Sequence, residues 1–187
     1  CGVDSLYPAG IRNLNVYAFN ENDILVAQQQ VSNVTLSSQY KMLIPLIGKG
    51  AFTFIGWANV DNSYQFWDVK EGVTTKRDLL LKLNQTADLT DKKLYMGEGQ
   101  AVSLPDPAEV GSYYGYSAVN LLEITNRIKV ILQGVPHASD FSAEIVSRNG
   151  SYQLNGAMPL NSDLINYPSH ESVDAADTIL TANFTTL

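Results

Sequence analysis

The chain holds two histidines, and each has neighbours that could take part in acid–base chemistry. His137 lies close to Ser139 and Asp140, and His170 lies in a second polar segment next to a proline. A hydrolytic triad needs a nucleophile, an imidazole base and an orienting carboxylate in direct contact, and closeness in sequence does not produce that contact. We therefore interpret both histidines as solvated loop residues and predict no catalytic residue here.

Carboxylates could supply a glycosidase pair. Asp88 with Asp91 and Asp106 with Glu109 have close spacing, but all four lie in segments typical of turns. Residues 20–23 offer oxygen ligands for calcium, although four residues are too few for an EF-hand loop. The sequence contains no Walker-type glycine loop and no His-Glu-x-x-His motif. We predict a protein that is not an enzyme and that has no metal site and no cofactor.

Aromatic residues are a second source of binding chemistry. Tyr64, Phe66 and Trp67 lie within residues 59–72, which are polar and predict a long loop. Exposed aromatic rings stack on flat apolar surfaces such as sugar rings. Trp57 follows an apolar run, which predicts a core position. We keep glycan binding through the aromatic loop as the alternative function.

The net charge of −7 restricts the partners of this chain. Nucleic-acid binding needs a basic surface, which this composition does not provide, so we predict no nucleic-acid partner. Electrostatic binding to anionic lipids is disfavoured for the same reason. The sequence also lacks an apolar run of the roughly 18 residues that a membrane-spanning helix needs.

Cys1 is the single cysteine. One cysteine cannot form a disulfide within residues 1–187, and it cannot supply the several thiolates of a cysteine zinc site. A cysteine at this position is the arrangement left when a bacterial lipoprotein signal is removed just before a lipidated cysteine. The alternative is that the sequence simply begins at this residue. We expect a lipid on Cys1.

The elements that position the candidate residues are predicted to be strands. Apolar residues alternate with polar ones in residues 13–19, a polar turn follows, and residues 24–31 resume the pattern, which predicts a hairpin. Residues 51–58 carry apolar side chains on both faces and predict a central buried strand. Residues 74–83 fit a short helix or a strand. The pattern predicts an all-β protein.

The second half repeats the strand signals. Residues 121–132 predict a long amphipathic strand with one wet face, on which Arg127 and Lys129 lie. Asn149-Gly150 lies between two apolar runs and predicts a hairpin. Residues 178–187 alternate again.

The Pro- and Tyr-rich residues 105–117 predict an irregular connection, and we place a domain boundary just after it. The predicted domains are residues 1–120 and 121–187. The second is short for a β-sandwich, which leaves a truncated second domain open.

Three segments, taken in order, resemble a known family. They are residues 14–26, residues 40–59 with the strand end Gly56-Trp57-Ala58-Asn59, and residues 94–97 followed by 124–130. This order resembles the fimbrillin superfamily of Bacteroidales surface proteins (type V pilus proteins), and most closely its fimbrial anchor branch of the FimB/Mfa type. The resemblance extends over most of residues 10–135.

The resemblance implies tandem transthyretin-like β-sandwich domains, and a truncated second domain stays open. It implies a secreted lipoprotein with a lipid on Cys1, located on the cell outer membrane surface or in a fimbrium, that contributes to adhesion. It implies other fimbrial subunits as partners, joined by strand exchange, because an added strand pairs the free amides of a sheet edge. Anchor, shaft and tip roles stay open.

Two acidic tripeptides resemble O-glycosylation sites of exported proteins in such bacteria. They place candidate hydroxyls at Ser5 and Thr178.

Overall fold

The computed structural model describes residues 10–46, 48–85 and 88–187. Their regular structure is almost entirely strand, which confirms the all-β prediction. Helical structure in these residues is limited to α1 (Pro107–Val110) and a 3-10 turn (Ala138–Asp140). The strands of the first half are β1 (Asn13–Phe19), β2 (Leu25–Ser32), β3 (Gly50–Ala58), β4 (Tyr64–Phe66), β5 (Leu79–Leu83), β6 (Tyr95–Glu98) and β7 (Val102–Leu104). Those of the second half are β8 (Leu122–Glu123), β9 (Asn126–Gln133), β10 (Ile145–Ser147), β11 (Ser151–Gln153), β12 (Ile165–Tyr167), β13 (His170–Val173) and β14 (Ile179–Thr186).

The largest sheet has the order β2-β1-β3-β6-β8, with β7 paired to the start of β3. The predicted hairpin is confirmed, because β1 and β2 pair antiparallel from Asn13↔Ser32 onward. Its turn is closed by the Asn20 side chain, whose Oδ1 accepts from the amides of Asn22 and Ile24, each at 3.0 Å. The predicted central strand is also confirmed, since β3 pairs with β1 on one side and β6 on the other.

The alternation within β1 separates two apolar clusters. Tyr17 and Phe19 face the main core, whereas Leu14 and Val16 face a smaller cluster on the other side of the sheet. Residues 34–44, which belong to no strand, cover this second side with the side chains of Val34, Leu36, Tyr40, Met42 and Ile44. Burial on both faces explains why the central strands carry apolar residues at successive positions.

A second sheet, β11-β5-β4, packs its side chains into the main core. Residues 79–83 are therefore a strand, and the ambiguity of this segment is resolved by its two partners, β4 and β11. The long loop predicted for residues 59–72 contains a short strand, because β4 lies within it. Three residues are too short for a recognisable alternation, so only the pairing with β5 defines this strand.

A third sheet, β13-β14-β9, contains the last strand of the chain. The alternation predicted for residues 178–187 is confirmed, since one face of β14 is buried through Leu180, Ala182 and Phe184. The long strand predicted for residues 121–132 is interrupted, because β8 pairs with β6 while β9 pairs with β14. The chain therefore passes from the first sheet to the third at residues 124–125.

The hairpin predicted at Asn149-Gly150 is wrong. The flanking strands β10 and β11 pair with β12 and β5, not with each other. Asn149 instead accepts a hydrogen bond from the Tyr167 hydroxyl at 2.7 Å and donates to the Leu187 carbonyl. Gly150 lies under Ile165, whose Cγ1 would be 2.4 Å from an added Cβ. Gly150 therefore allows Ile165 of β12 to pack closely against the backbone, and it does not form a two-residue hairpin turn.

The domain boundary near residue 120 stays a prediction. Two features cross it, namely the β5–β11 pairing and the main core, which holds Trp57 and Leu80 together with Tyr152 and Phe184.

Candidate functional site

His137 lies at a turn with Ser139 and Asp177, but the three do not form a relay. Asp177 is in the middle, with its Oδ2 3.5 Å from His137 Nδ1 and 3.0 Å from the Ser139 hydroxyl. A triad needs the imidazole between the serine and the acid. Hydrogen bonds from the Ser139 amide and then its hydroxyl lower the pKa of Asp177. The arrangement fixes the 3-10 turn against the β13–β14 connection.

His170 joins β13 to the loop that follows residue 87. Its Nε2 is 2.5 Å from the Thr90 hydroxyl and 3.3 Å from Asp88 Oδ2. The side chain and then the amide of Thr90 lower the pKa of Asp88. Both His170 and Asp88 are about half exposed, so this contact ties two surface segments together without enclosing a reaction site.

Two of the four carboxylates considered for glycosidase chemistry, Asp88 and Asp106, have structural partners. Asp106 caps α1 by accepting from the Ala108 amide at 2.9 Å, and its other oxygen binds Lys49 Nζ at 3.0 Å. Asp88 accepts from the Thr90 amide at 2.8 Å, as in a turn. Within the described ranges, no group of three or more His, Cys, Asp or Glu side chains is placed to hold a metal ion.

The three residues of the predicted aromatic loop do not lie on one surface. Tyr64 is buried at 5% exposure in β4, and burial raises the pKa of its phenol. Phe66 and Trp67 are exposed, at 46% and 37%. Only these two can therefore contact a ligand, because the ring of Tyr64 belongs to the main core.

A second group of exposed aromatic residues lies in the segment that the sequence predicted only as an irregular connection. It consists of Tyr113, Tyr114 and Tyr116 in the irregular segment after α1, with exposures from 59% to 77%. Lys41 Nζ lies 5.5 Å from the Tyr116 ring centre. The repeated tyrosines were visible in the sequence, but their exposure depends on how the segment lies on the sheet.

Of the three residues predicted to carry a lipid or a glycan, only Thr178 lies within the described residues. Thr178 is exposed in the turn between β13 and β14, where its amide donates to Asp174 Oδ1 at 2.7 Å. Its hydroxyl lies 3.2 Å from Asp174 Oδ2. Cys1 and Ser5 lie outside the described residues.

Several sheet edges have no strand partner among the described residues. Strand β9 pairs with β14 along its whole length, and its other edge has no strand partner among the described residues. Ile128 and Val130 are 40% and 38% exposed, although an amphipathic strand is expected to bury its apolar face. No helix within the described ranges is long and apolar enough to cross a bilayer.

Comparison with known proteins identifies a family. The model of the family "Fimbrillin-A associated anchor proteins Mfa1 and Mfa2" matches residues 2–187. The minor fimbrium anchoring subunit Mfa2 of Porphyromonas gingivalis is 32% identical over 191 residues, which cover 100% of this chain and 58% of that protein. The structure of the Porphyromonas gingivalis fimbrial anchor protein Mfa2 has a TM-score of 0.92 at 33% identity. It is matched over 97% of this chain and 66% of its own, so this chain spans less than two thirds of the anchoring subunit.

More distant structures share the fold. A Bacteroides thetaiotaomicron protein described as a polysaccharide-binding candidate has a TM-score of 0.67 at 19% identity, over 97% of this chain and 66% of its own. An adhesin candidate from Bacteroides ovatus has a TM-score of 0.62 at 17% identity, over 96% and 62%. At this identity the likeness shows the fold alone. The match over residues 2–187 shows that the chain belongs to the family of fimbrillin-A associated anchor proteins Mfa1 and Mfa2.

Proposed function

We propose that this chain is a non-enzymatic fimbrial subunit that anchors or accompanies a surface filament and contributes to adhesion. The observation that carries the proposal is the family match over residues 2–187, together with the fold shared with a fimbrial anchor at a TM-score of 0.92. The geometry around the two histidines supports a structural role, because neither forms a relay with a nucleophile. Hydrolysis of a glycan or peptide panel by the purified protein would contradict it.

The anchor role requires attachment, and we propose that a lipid on Cys1 holds the protein in the outer membrane. The experiment is mass spectrometry of the N-terminal peptide from native cell envelope after mild shearing. An acylated Cys1 in the membrane fraction is the expected result. An unacylated N-terminus that follows an arginine cleavage, found in sheared filaments, would instead indicate a shaft subunit.

A Cys1→Ser variant provides the matched control for attachment. Because Cys1 is the one cysteine in residues 1–187, we expect this variant to leave the membrane fraction and take the filaments with it. Filaments that stay on the cell at the parental level would contradict the anchor role.

Partners are proposed to be other fimbrial subunits that join by strand exchange. A free sheet edge presents unpaired amide and carbonyl groups, and an added strand satisfies them while covering apolar side chains. The edge of β9 that has no strand partner among the described residues supports this mode of assembly.

Glycan binding is the second candidate function. It is favoured by the exposure of Phe66 and Trp67, and by the description of one fold relative as a polysaccharide-binding candidate. A glycan array is the test, with Trp67→Ala expected to abolish binding. Tyr114→Ala, which removes an exposed ring from a different segment, is the control.

A further inference from the structure

The chain contains two Asn-Gly dipeptides, Asn149-Gly150 and Asn155-Gly156. In such a dipeptide the glycine nitrogen can attack the side-chain amide of the asparagine, because glycine has no side chain to obstruct the approach. Both asparagines are half-buried, so exposure alone does not distinguish them. The difference between them lies in their hydrogen bonds and in the room around each glycine.

The carboxamide of Asn149 is held at both of its polar atoms. Its Oδ1 accepts from the Tyr167 hydroxyl at 2.7 Å, and its Nδ2 donates to the Leu187 carbonyl. Gly150 is buried, and an added Cβ there would lie 2.4 Å from Ile165 Cγ1. Attack on this carboxamide would therefore have to break both hydrogen bonds in a closely packed site.

The carboxamide of Asn155 is held at one atom only. Its Oδ1 accepts from the Ala157 amide at 3.0 Å, and its Nδ2 has no hydrogen-bond partner among the described residues. When a nitrogen attacks a carboxamide, Nδ2 leaves as ammonia and negative charge develops on Oδ1. A backbone amide directed at that oxygen stabilises the developing charge.

The glycine that follows Asn155 has room to move. Gly156 has a φ of +78°, and the atoms nearest to an added Cβ are Sδ and Cε of Met96, at 3.0 and 3.1 Å. These atoms are the far end of a flexible side chain. The Gly156 amide donates to the Gln153 carbonyl at 2.9 Å, and this hydrogen bond must open before the nitrogen reaches the carboxamide.

We propose that Asn155-Gly156 is a site of spontaneous deamidation, and that the fold protects Asn149-Gly150 from the same reaction. The Gly156 nitrogen forms a bond to Cγ of Asn155, the Cγ–Nδ2 bond breaks, and ammonia leaves with the proton of the Gly156 amide. Water then opens the cyclic imide at either carbonyl, which gives aspartate or isoaspartate. The net reaction consumes water, releases ammonia and replaces a neutral carboxamide with a carboxylate.

The turn that is modified lies next to a core contact. The Leu154 carbonyl accepts the hydrogen bond of Trp57. The amides of Leu154 and Asn155 donate to the carbonyls of Asp78 and Lys76, each at 3.0 Å. Isoaspartate lengthens the main chain by a methylene group directly after Leu154. We therefore expect the isoaspartate form to unfold at a lower temperature than the unmodified protein.

The test is peptide mass spectrometry of the purified protein after incubation at mildly alkaline pH. Chymotrypsin cleavage after Tyr152 separates the two asparagines, so each can be quantified. In the folded protein we expect Asn155 to react at least about tenfold faster than Asn149, since the additional hydrogen bond and the close packing protect Asn149. In urea both should react at similar rates, because the protection belongs to the fold. Tyr167→Phe should raise the rate at Asn149 and leave that at Asn155 unchanged.

Equal rates at the two asparagines of the folded protein would overturn the proposal, and so would a faster reaction at Asn149. An Asn155 that stays intact in the folded protein while both sites react in urea would also overturn it, because the turn would then be protected as well.

Asn155→Gln is the matched control for the effect on stability, since it keeps the amide but lengthens the side chain. This variant should not show the fall in melting temperature that the parent protein shows on incubation. A fall of the same size in the variant would contradict the link between this modification and stability. None of these results depends on the anchor role, so the deamidation site and the proposed function can fail separately.

Discussion

The indole Nε1 of Trp57 donates a hydrogen bond of 2.9 Å to the carbonyl oxygen of Leu154, across 97 positions of sequence. Both residues are fully buried. The ring of Trp57 also meets that of Tyr152 edge-on, with ring centres 5.8 Å apart. The central strand β3 is therefore bonded to the chain that follows β11, and this contact crosses the predicted boundary near residue 120.

Trp57→Phe should destabilise the protein by about 2–4 kcal/mol, because it leaves the buried Leu154 carbonyl unpaired and opens a cavity. Urea denaturation measures the change in the free energy of unfolding. The control is Trp67→Phe, at a residue that is 37% exposed, with an expected change below about 0.5 kcal/mol. Equal effects of the two substitutions would contradict the role assigned to the buried bond.

Gly97→Ala should destabilise the protein by about 2 kcal/mol or more, because the new methyl group would overlap the backbone of a crossing segment. An added Cβ at Gly97 would lie 2.0 Å from the Asn120 carbonyl oxygen. Gly10→Ala is the control, since no atom lies within 4 Å of its added Cβ. Thermal unfolding of both variants tests this. A wild-type melting temperature for Gly97→Ala would show that residues 117–121 move away at little cost.

Glu123 should make stability depend on pH. Burial opposes its ionisation, but hydrogen bonds from Arg127 at 2.5 Å and Thr125 at 2.7 Å outweigh burial and lower its pKa. A lowered pKa in the folded state stabilises the protein above the unfolded pKa of about 4.3, and this stability is lost as pH falls through the folded pKa.

Glu123→Gln should therefore cost about 1 kcal/mol at pH 7 and become nearly neutral at about pH 3. Denaturation at both pH values measures the difference. Glu109→Gln serves as the control, because Glu109 forms no ion pair with another described residue. A cost for Glu123→Gln that stays constant between the two pH values would contradict the charged interaction.

Thr178 should carry an O-glycan in protein isolated from native cells. Its hydroxyl is exposed in a turn, whereas Thr181 is part of β14 and half-buried. Peptide mass spectrometry should find the added mass on Thr178 and not on Thr181, and Thr178→Val should remove it. An unmodified Thr178 peptide from cells that glycosylate other exported proteins would reject this site.

Local patterns were sufficient for the long strands. Alternation in β1 and β14 and the apolar run of β3 each placed a strand where the structure has one, because side chains on a strand repeat every two residues. The ordered motifs of residues 14–130 also indicated the family that the comparisons then confirmed. Neither the long strands nor the family resemblance depends on contacts between residues that are distant in sequence.

Pairing depends on partners that are distant in sequence. The Asn149-Gly150 dipeptide favours a hairpin locally, yet Tyr167, Ile165 and Leu187 hold it in a passage between sheets. Residues 79–83 become a strand only because β4 and β11 lie on either side.

Exposure likewise depends on the whole fold. Tyr64 and Trp67 are three positions apart in one polar segment, but the core takes the first ring and leaves the second at the surface. The apolar pattern of β9 showed an amphipathic strand but not that Ile128 and Val130 would remain half-covered. The sequence by itself determined the long alternating strands β1 and β14, since their pattern follows from a period of two. Only the tertiary structure decided which edges and faces stay open, because this depends on how many other strands are packed against them.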